Sequence, residues 1–217
     1  MWDRSLLRRA LVAAVLVVAS GSLAGPAAAV GEWPAVPTLR DLAAGSIRGP
    51  KGWEVWCATS PERCARDGTA LVALDAATAT LLERLFHRVH ARITAEVERP
   101  GFDDWRVIDA PGFGDCEDYA LSWREALVAA GLPREALDIA VAETEQGEIH
   151  AVLAIHTDLG TLIFDNRQSG PKPWTALPYA WLAIEPATAS ITPWHALPDH
   201  QRIGMTPPLT AEGAARR

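Results

Sequence analysis

The feature that most constrains the fold is a change of apolar period at Gly131. Before it, Tyr119, Ala120, Trp123, Leu127 and Val128 recur at helical spacing, and Gly131 supplies the stop. After it, short apolar stretches are separated by turn residues. Leu132 to Leu137 reads as a helical connector. Ile139 to Thr144, Ile149 to Thr157 and Thr161 to Asp165 read as strands, with Tyr179 to Ile184 as a fourth. Gln146-Gly147 and Asp158-Leu159-Gly160 are the turns between them, and links that short force antiparallel neighbours. Helices first and an antiparallel sheet afterwards define the α+β class.

Upstream of that point, Leu81, Leu82, Leu85, Val89, Ile93 and Val97 share one face of an expected helix, capped by Asp75 and broken by Pro100. His87 and His90 on it are expected to be partly solvated. Residues 30–75 carry Trp33-Pro34, Pro37, Gly49-Pro50 and Gly52, which break any long element there, and Trp53 and Trp56 are expected to cover part of the core. Residues 102–113 read as a loop.

The first 29 residues read as an address. Arg4, Arg8 and Arg9 precede an apolar run from Ala10 to Ala19, and small residues end at Ala27-Ala28-Ala29. The run is short for a membrane span. A cleaved secretory signal (1–29) is expected, followed by one domain over 30–207 and a mobile tail over 208–217. Losing Arg4, Arg8, Arg9 and Asp3 moves the formal charge from −7 to −9. An acidic surface argues against nucleic acid or an anionic membrane as the main partner.

Export gives the three cysteines a meaning. Cys57 and Cys64 flank a Ser60-Pro61 turn and are expected to form a disulfide in an oxidising compartment. Zinc held by these two cysteines with His87 and His90 is a competing use, but the spacing matches no strong template. Cys116 is left over. It sits in Gly114-Asp115-Cys116-Glu117-Asp118-Tyr119, behind a Gly/Pro-rich loop and at the first turn of the helix that ends at Gly131. Unpaired N–H groups and the helix dipole there favour a thiolate. His150 opens the second strand and Asp165 closes the third, so the hairpin brings them together. Cys116, His150 and Asp165, in that order, make a nucleophile, a general base and its orienting carboxylate.

Three stretches, Gly114 to Ala120, Gly147 to Leu153 and Leu162 to Asn166, resemble the bacterial transglutaminase-like cysteine proteinases over roughly residues 50–186. The resemblance implies a papain-like core of helices against an antiparallel sheet, with the triad at Cys116, His150 and Asp165. It implies a periplasmic cysteine endopeptidase acting on a cell-envelope or surface protein, such as a biofilm adhesin, and an inner-membrane receptor as regulator. It also implies calcium near the nucleophile, since Asp115 and Glu117 match family residues that affect calcium use. Calcium takes roughly six to eight oxygens, so two adjacent acids supply only part of its shell. Acids beside the cysteine oppose its ionisation, which a bound cation would relieve. The chain departs from the pattern at Glu148-Ile149-His150, where glycine or alanine is more usual before the histidine, and in its Cys57/Cys64 segment. Two other readings use the same residues: a transglutaminase-type acyl transferase, in which an amine resolves the thioester, and a non-catalytic envelope binding module with a tryptophan-lined cleft.

Overall fold

The structure is a computed structural model and describes residues 36–98, 101–187 and 193–197. The expected signal over 1–29, both ends of the 30–207 domain and the 208–217 tail lie outside these residues. In chain order the elements are β1 (Ser46–Ile47), α1 (Lys51–Thr59), α2 (Pro61–Cys64), α3 (Ala76–His90), β2 (Ile93–Ala95), β3 (Gly112–Gly114) and α4 (Cys116–Ala129). There follow β4 (Leu137–Glu143), β5 (Ile149–Thr157), β6 (Gly160–Phe164), β7 (Lys172–Pro173), β8 (Ala180–Ile184) and β9 (Trp194–Ala196). No helix among the described residues is long and apolar enough to cross a membrane.

Seven strands form one sheet in the order β1-β9-β8-β4-β5-β6-β7, and its pairs are antiparallel. The helices-then-sheet expectation is borne out. Alternation in β5 divides the core. Ala151, Leu153 and Ile155 face the helices, while Val152 and Ala154 pack with Ile163, Trp174, Tyr179 and Trp181 on the other side. On the helical side, Phe86 of α3 stacks on Trp123 of α4 at 5.0 Å, and Phe164 of β6 meets both rings edge-on.

Two expectations for the first half need correcting. Residues 51–64 form two short helices interrupted at Ser60, and Pro50 and Pro61 precede or open them, where a missing N–H costs nothing. The α3 helix, capped as expected by Asp75 accepting from the Thr78 N–H at 2.7 Å, stops at His90 instead of running to Val97. Ile93 to Ala95 pairs in parallel with Gly112 to Gly114, so part of the expected loop is strand, and Val97 is 93 % exposed. Cys57 and Cys64 are bonded, which leaves Cys116 as the free thiol.

Candidate active site

Cys116 is the first residue of α4, with Asp115 at the N-cap. Two glycines set its place. Gly114 lets the chain pass α4, since a Cβ there would lie 2.8 Å from the side chain of Asp118. Gly131, at φ +95°, ends the helix in the left-handed region. Asp118 is fully buried and ties the preceding loop to the helix by accepting from the Arg106 N–H at 2.9 Å and from Arg106 Nε at 3.2 Å.

The sheet delivers the other two groups. His150 is the second residue of β5, and Asp165 follows the last residue of β6. Leu153 pairs with Phe164, so the same register would set Asp165 opposite Val152, and the imidazole reaches the carboxylate diagonally. His150 Nε2 lies 2.7 Å from Asp165 Oδ1. The same Oδ1 accepts from the Arg167 N–H at 2.8 Å, and Oδ2 accepts from the Tyr179 hydroxyl at 2.6 Å. Burial raises the Asp165 carboxyl, but His150, Tyr179 and the Arg167 N–H outweigh it and hold the group below its ordinary value. With Nε2 turned to the carboxylate, Nδ1 is the ring nitrogen left for a thiol.

The thiol meets the strand through its backbone. The Ala151 N–H, next in chain to His150, donates to Sγ at 3.4 Å, and Sγ donates to Glu117 Oε2 at 3.0 Å. Among the described residues no hydrogen bond joins Sγ to the His150 ring. The expectation of a thiolate favoured by the helix end is therefore reversed here. Burial pushes the Cys116 thiol up, and the Glu117 charge adds to this more than the Ala151 N–H relieves it.

Asp115 and Glu117 gain a partner that the sequence did not offer. Glu98, past β2, brings a carboxylate oxygen to within 4.8 Å of theirs. Burial, then Glu98, raise the Asp115 carboxyl. Burial and the Asp115 charge push Glu117 up to about 7. Asp115 Oδ1 is buried and has no hydrogen-bond partner among the described residues. An all-oxygen set with an orphaned oxygen and mutually repelling charges fits a hard divalent cation. His87 and His90 do not join Cys57 and Cys64, since the sulfurs are bonded to each other and His87 contacts Glu83 at 3.0 Å.

A free cysteine at a helix N-terminus, with a buried His–Asp pair near the adjoining strand, is a set of groups suited to nucleophilic cysteine chemistry. The chain belongs to the bacterial transglutaminase-like cysteine proteinase family, whose pattern matches residues 43–202. It is accordingly a cysteine peptidase, with a protein as substrate. No curated protein sequence matches the chain. Among solved structures it is similar to calcium-bound Legionella pneumophila LapG, with 24% identity over 55% of this chain and 69% of that one and a TM-score of 0.47. The EGTA-treated form of the same protein gives 25% identity, 55% and 67% coverage and a TM-score of 0.47.

Proposed function

We propose that the chain is an exported cysteine endopeptidase that cleaves a cell-envelope or surface protein in the periplasm, using Cys116, His150 and Asp165 as its triad. The observation that carries this reading is the buried 2.7 Å contact of His150 with Asp165, beside a backbone N–H that touches the free thiol. Rotation about the Cys116 Cα–Cβ bond takes Sγ from Glu117 toward Nδ1 of His150, which accepts the thiol proton. The sulfur attacks the scissile carbonyl carbon, and the unpaired N–H groups at the start of α4 favour the oxyanion. The imidazolium returns its proton to the leaving nitrogen as the C–N bond breaks, and water then hydrolyses the thioester. Asp165, held by Tyr179, keeps the ring in the tautomer with its proton on Nε2.

Glu98, Asp115 and Glu117 are the residues that would hold calcium. When bound, calcium supplies positive charge that offsets the carboxylates crowding Cys116. Glu117 accepts the thiol's hydrogen bond, so its engagement elsewhere frees Sγ to turn.

Iodoacetamide labelling with calcium present tests the triad. Rapid modification of one thiol, lost in Cys116→Ala and slowed roughly a hundredfold or more (the typical share of a general base) in His150→Ala, supports it. Equal labelling of His150→Ala and the wild type refutes it. Comparing the cell-envelope proteins of cells carrying the wild type or Cys116→Ala then identifies the substrate as one shortened or released protein.

A further inference from the structure

We propose that Arg167 and Glu148 form a strap that holds the His150–Asp165 pair in register, which makes both of them positioning residues. The proposal rests on that pair being the catalytic one. It starts from a gap in the sheet. The ladder between β5 and β6 runs from the Thr157–Gly160 pair to the Leu153–Phe164 pair and stops there. His150 and Asp165 both lie beyond its last rung, where no backbone pairing between these strands fixes their separation.

Arg167 bridges that gap from two positions past Asp165. Its N–H donates to Asp165 Oδ1 at 2.8 Å, the oxygen that also meets His150. One arm of its guanidinium donates to Glu148 Oε2, two residues before His150, and the other donates to Gln146 Oε1 at 2.6 Å. The turn it grips is itself built. Gly147 takes φ +79°, the Thr144 N–H donates to the Glu148 carbonyl at 2.9 Å, and the Glu148 N–H donates to Thr144 Oγ1 at 3.3 Å. One side chain thus joins the segment leading into the base to the segment leading out of its carboxylate. A planar guanidinium suits this because its fork fixes direction as well as distance. The strap also gives a use to Glu148, which lies two residues before the histidine.

The side chains of Arg167 and Glu148 are 31% and 64% exposed, so their pair contributes little to global stability and is screened by salt. That separates positioning from folding. The test uses the whole protein with calcium, in wild type, Arg167→Gln, Glu148→Gln, the double exchange Glu148→Arg with Arg167→Glu, and His150→Ala. Two quantities are read: the iodoacetamide rate at Cys116, and the proton NMR signal of the His150 Nε2–H in histidine-labelled protein. His156, whose ring contacts buried Asp138 at 2.8 Å, is an internal reference.

The strap requires each single variant to keep its thermal midpoint within about 3 °C of wild type. Alkylation should fall roughly three- to tenfold, and the His150 signal should exchange faster with water while that of His156 is unchanged. The double exchange should recover both quantities. Single variants that alkylate within twofold of wild type and keep a sharp His150 signal overturn the strap, as does a double exchange that recovers neither. If His150→Ala alkylates like wild type, the triad itself fails and takes the strap with it. If only the strap fails, His150→Ala remains slow.

Discussion

Replacing Tyr179 with phenylalanine removes one hydroxyl from a fully buried carboxylate. Asp165 has no exposed surface, and its Oδ2 accepts from that hydroxyl at 2.6 Å. A hydrogen bond to a charged group contributes about 1.5–3 kcal/mol, and phenylalanine offers Oδ2 no donor in its place. The expected loss at neutral pH is therefore about 2 kcal/mol. Because the folded carboxyl is held below its ordinary value, its contribution is whole above the unfolded value of about 4 and is lost as pH falls through the folded value. Losing the hydroxyl removes one of the interactions that lower the folded value, so the variant surrenders this stability at a higher pH than the wild type. Once both carboxyls are protonated, the difference between the two proteins shrinks. Urea midpoints for both at pH 7, 5 and 3 read this directly. A difference below about 0.5 kcal/mol at pH 7, or one equally large at pH 7 and pH 3, would refute the assignment of that hydrogen bond to a charged Asp165.

Asp138→Asn should cost about 3–5 kcal/mol in urea unfolding, because it leaves Arg66 and Arg40 with a neutral buried partner. Added calcium should raise the thermal midpoint of the wild type, and excess chelator should reverse it. Glu98→Gln should weaken that response roughly tenfold in calcium concentration, and an unchanged titration would remove Glu98 from the site. Reducing the Cys57–Cys64 bond, which closes a separation of 7 residues, should lower stability by about 2.5 kcal/mol, read as a denaturant midpoint shift.

What was legible in the sequence was whatever is local. Asp75 as a cap, Gly131 as a stop, and Ile149 to Thr157 as a strand follow from neighbours within a few positions. The His150–Asp165 contact was legible too, since a short turn fixes which strand ends meet. Its diagonal geometry was not, because register depends on how the two faces of β5 pack. Ile93 fits the apolar face of α3 as well as it fits a strand, and only the distant segment Gly112 to Gly114 decides for the strand. Tyr179, Arg167 and Glu98 escaped for a different reason. They act by reaching across the fold, and nothing in their own neighbourhood marks the oxygen each approaches. Arg167, two residues after a candidate aspartate, and Glu148, two before a candidate histidine, carried the one usable signal: opposite charges at matched offsets.

The middle of the nucleophile helix carries part of a chain of charge buried in this small domain. Arg124 lies two turns past Cys116 on α4, fully buried, and donates from Nη1 to Glu185 Oε2 at 2.7 Å just beyond β8. The same carboxylate accepts from the Ile139 N–H on β4 at 2.9 Å, from Trp53 Nε1 on α1 at 3.2 Å, and pairs with Arg66 at 2.6 Å. Arg66 continues to Asp138, which also takes Arg40 and His156. Burial works against the Asp138 charge, and Arg66, His156 and Arg40 more than reverse it. Well-packed apolar residues would give comparable or greater stability. They would not fix rotation, because an apolar face slides with little change in contact, whereas a guanidinium that loses its carboxylate is left as a bare buried charge. Arg124 is eight residues from Cys116, about 12 Å along the axis at 1.5 Å per residue. A rotation of α4 about that axis carries Sγ through the same angle as Arg124. The ion pair two turns along the helix therefore constrains the direction of the thiol at its first residue, which meets the start of β5 at the Ala151 N–H.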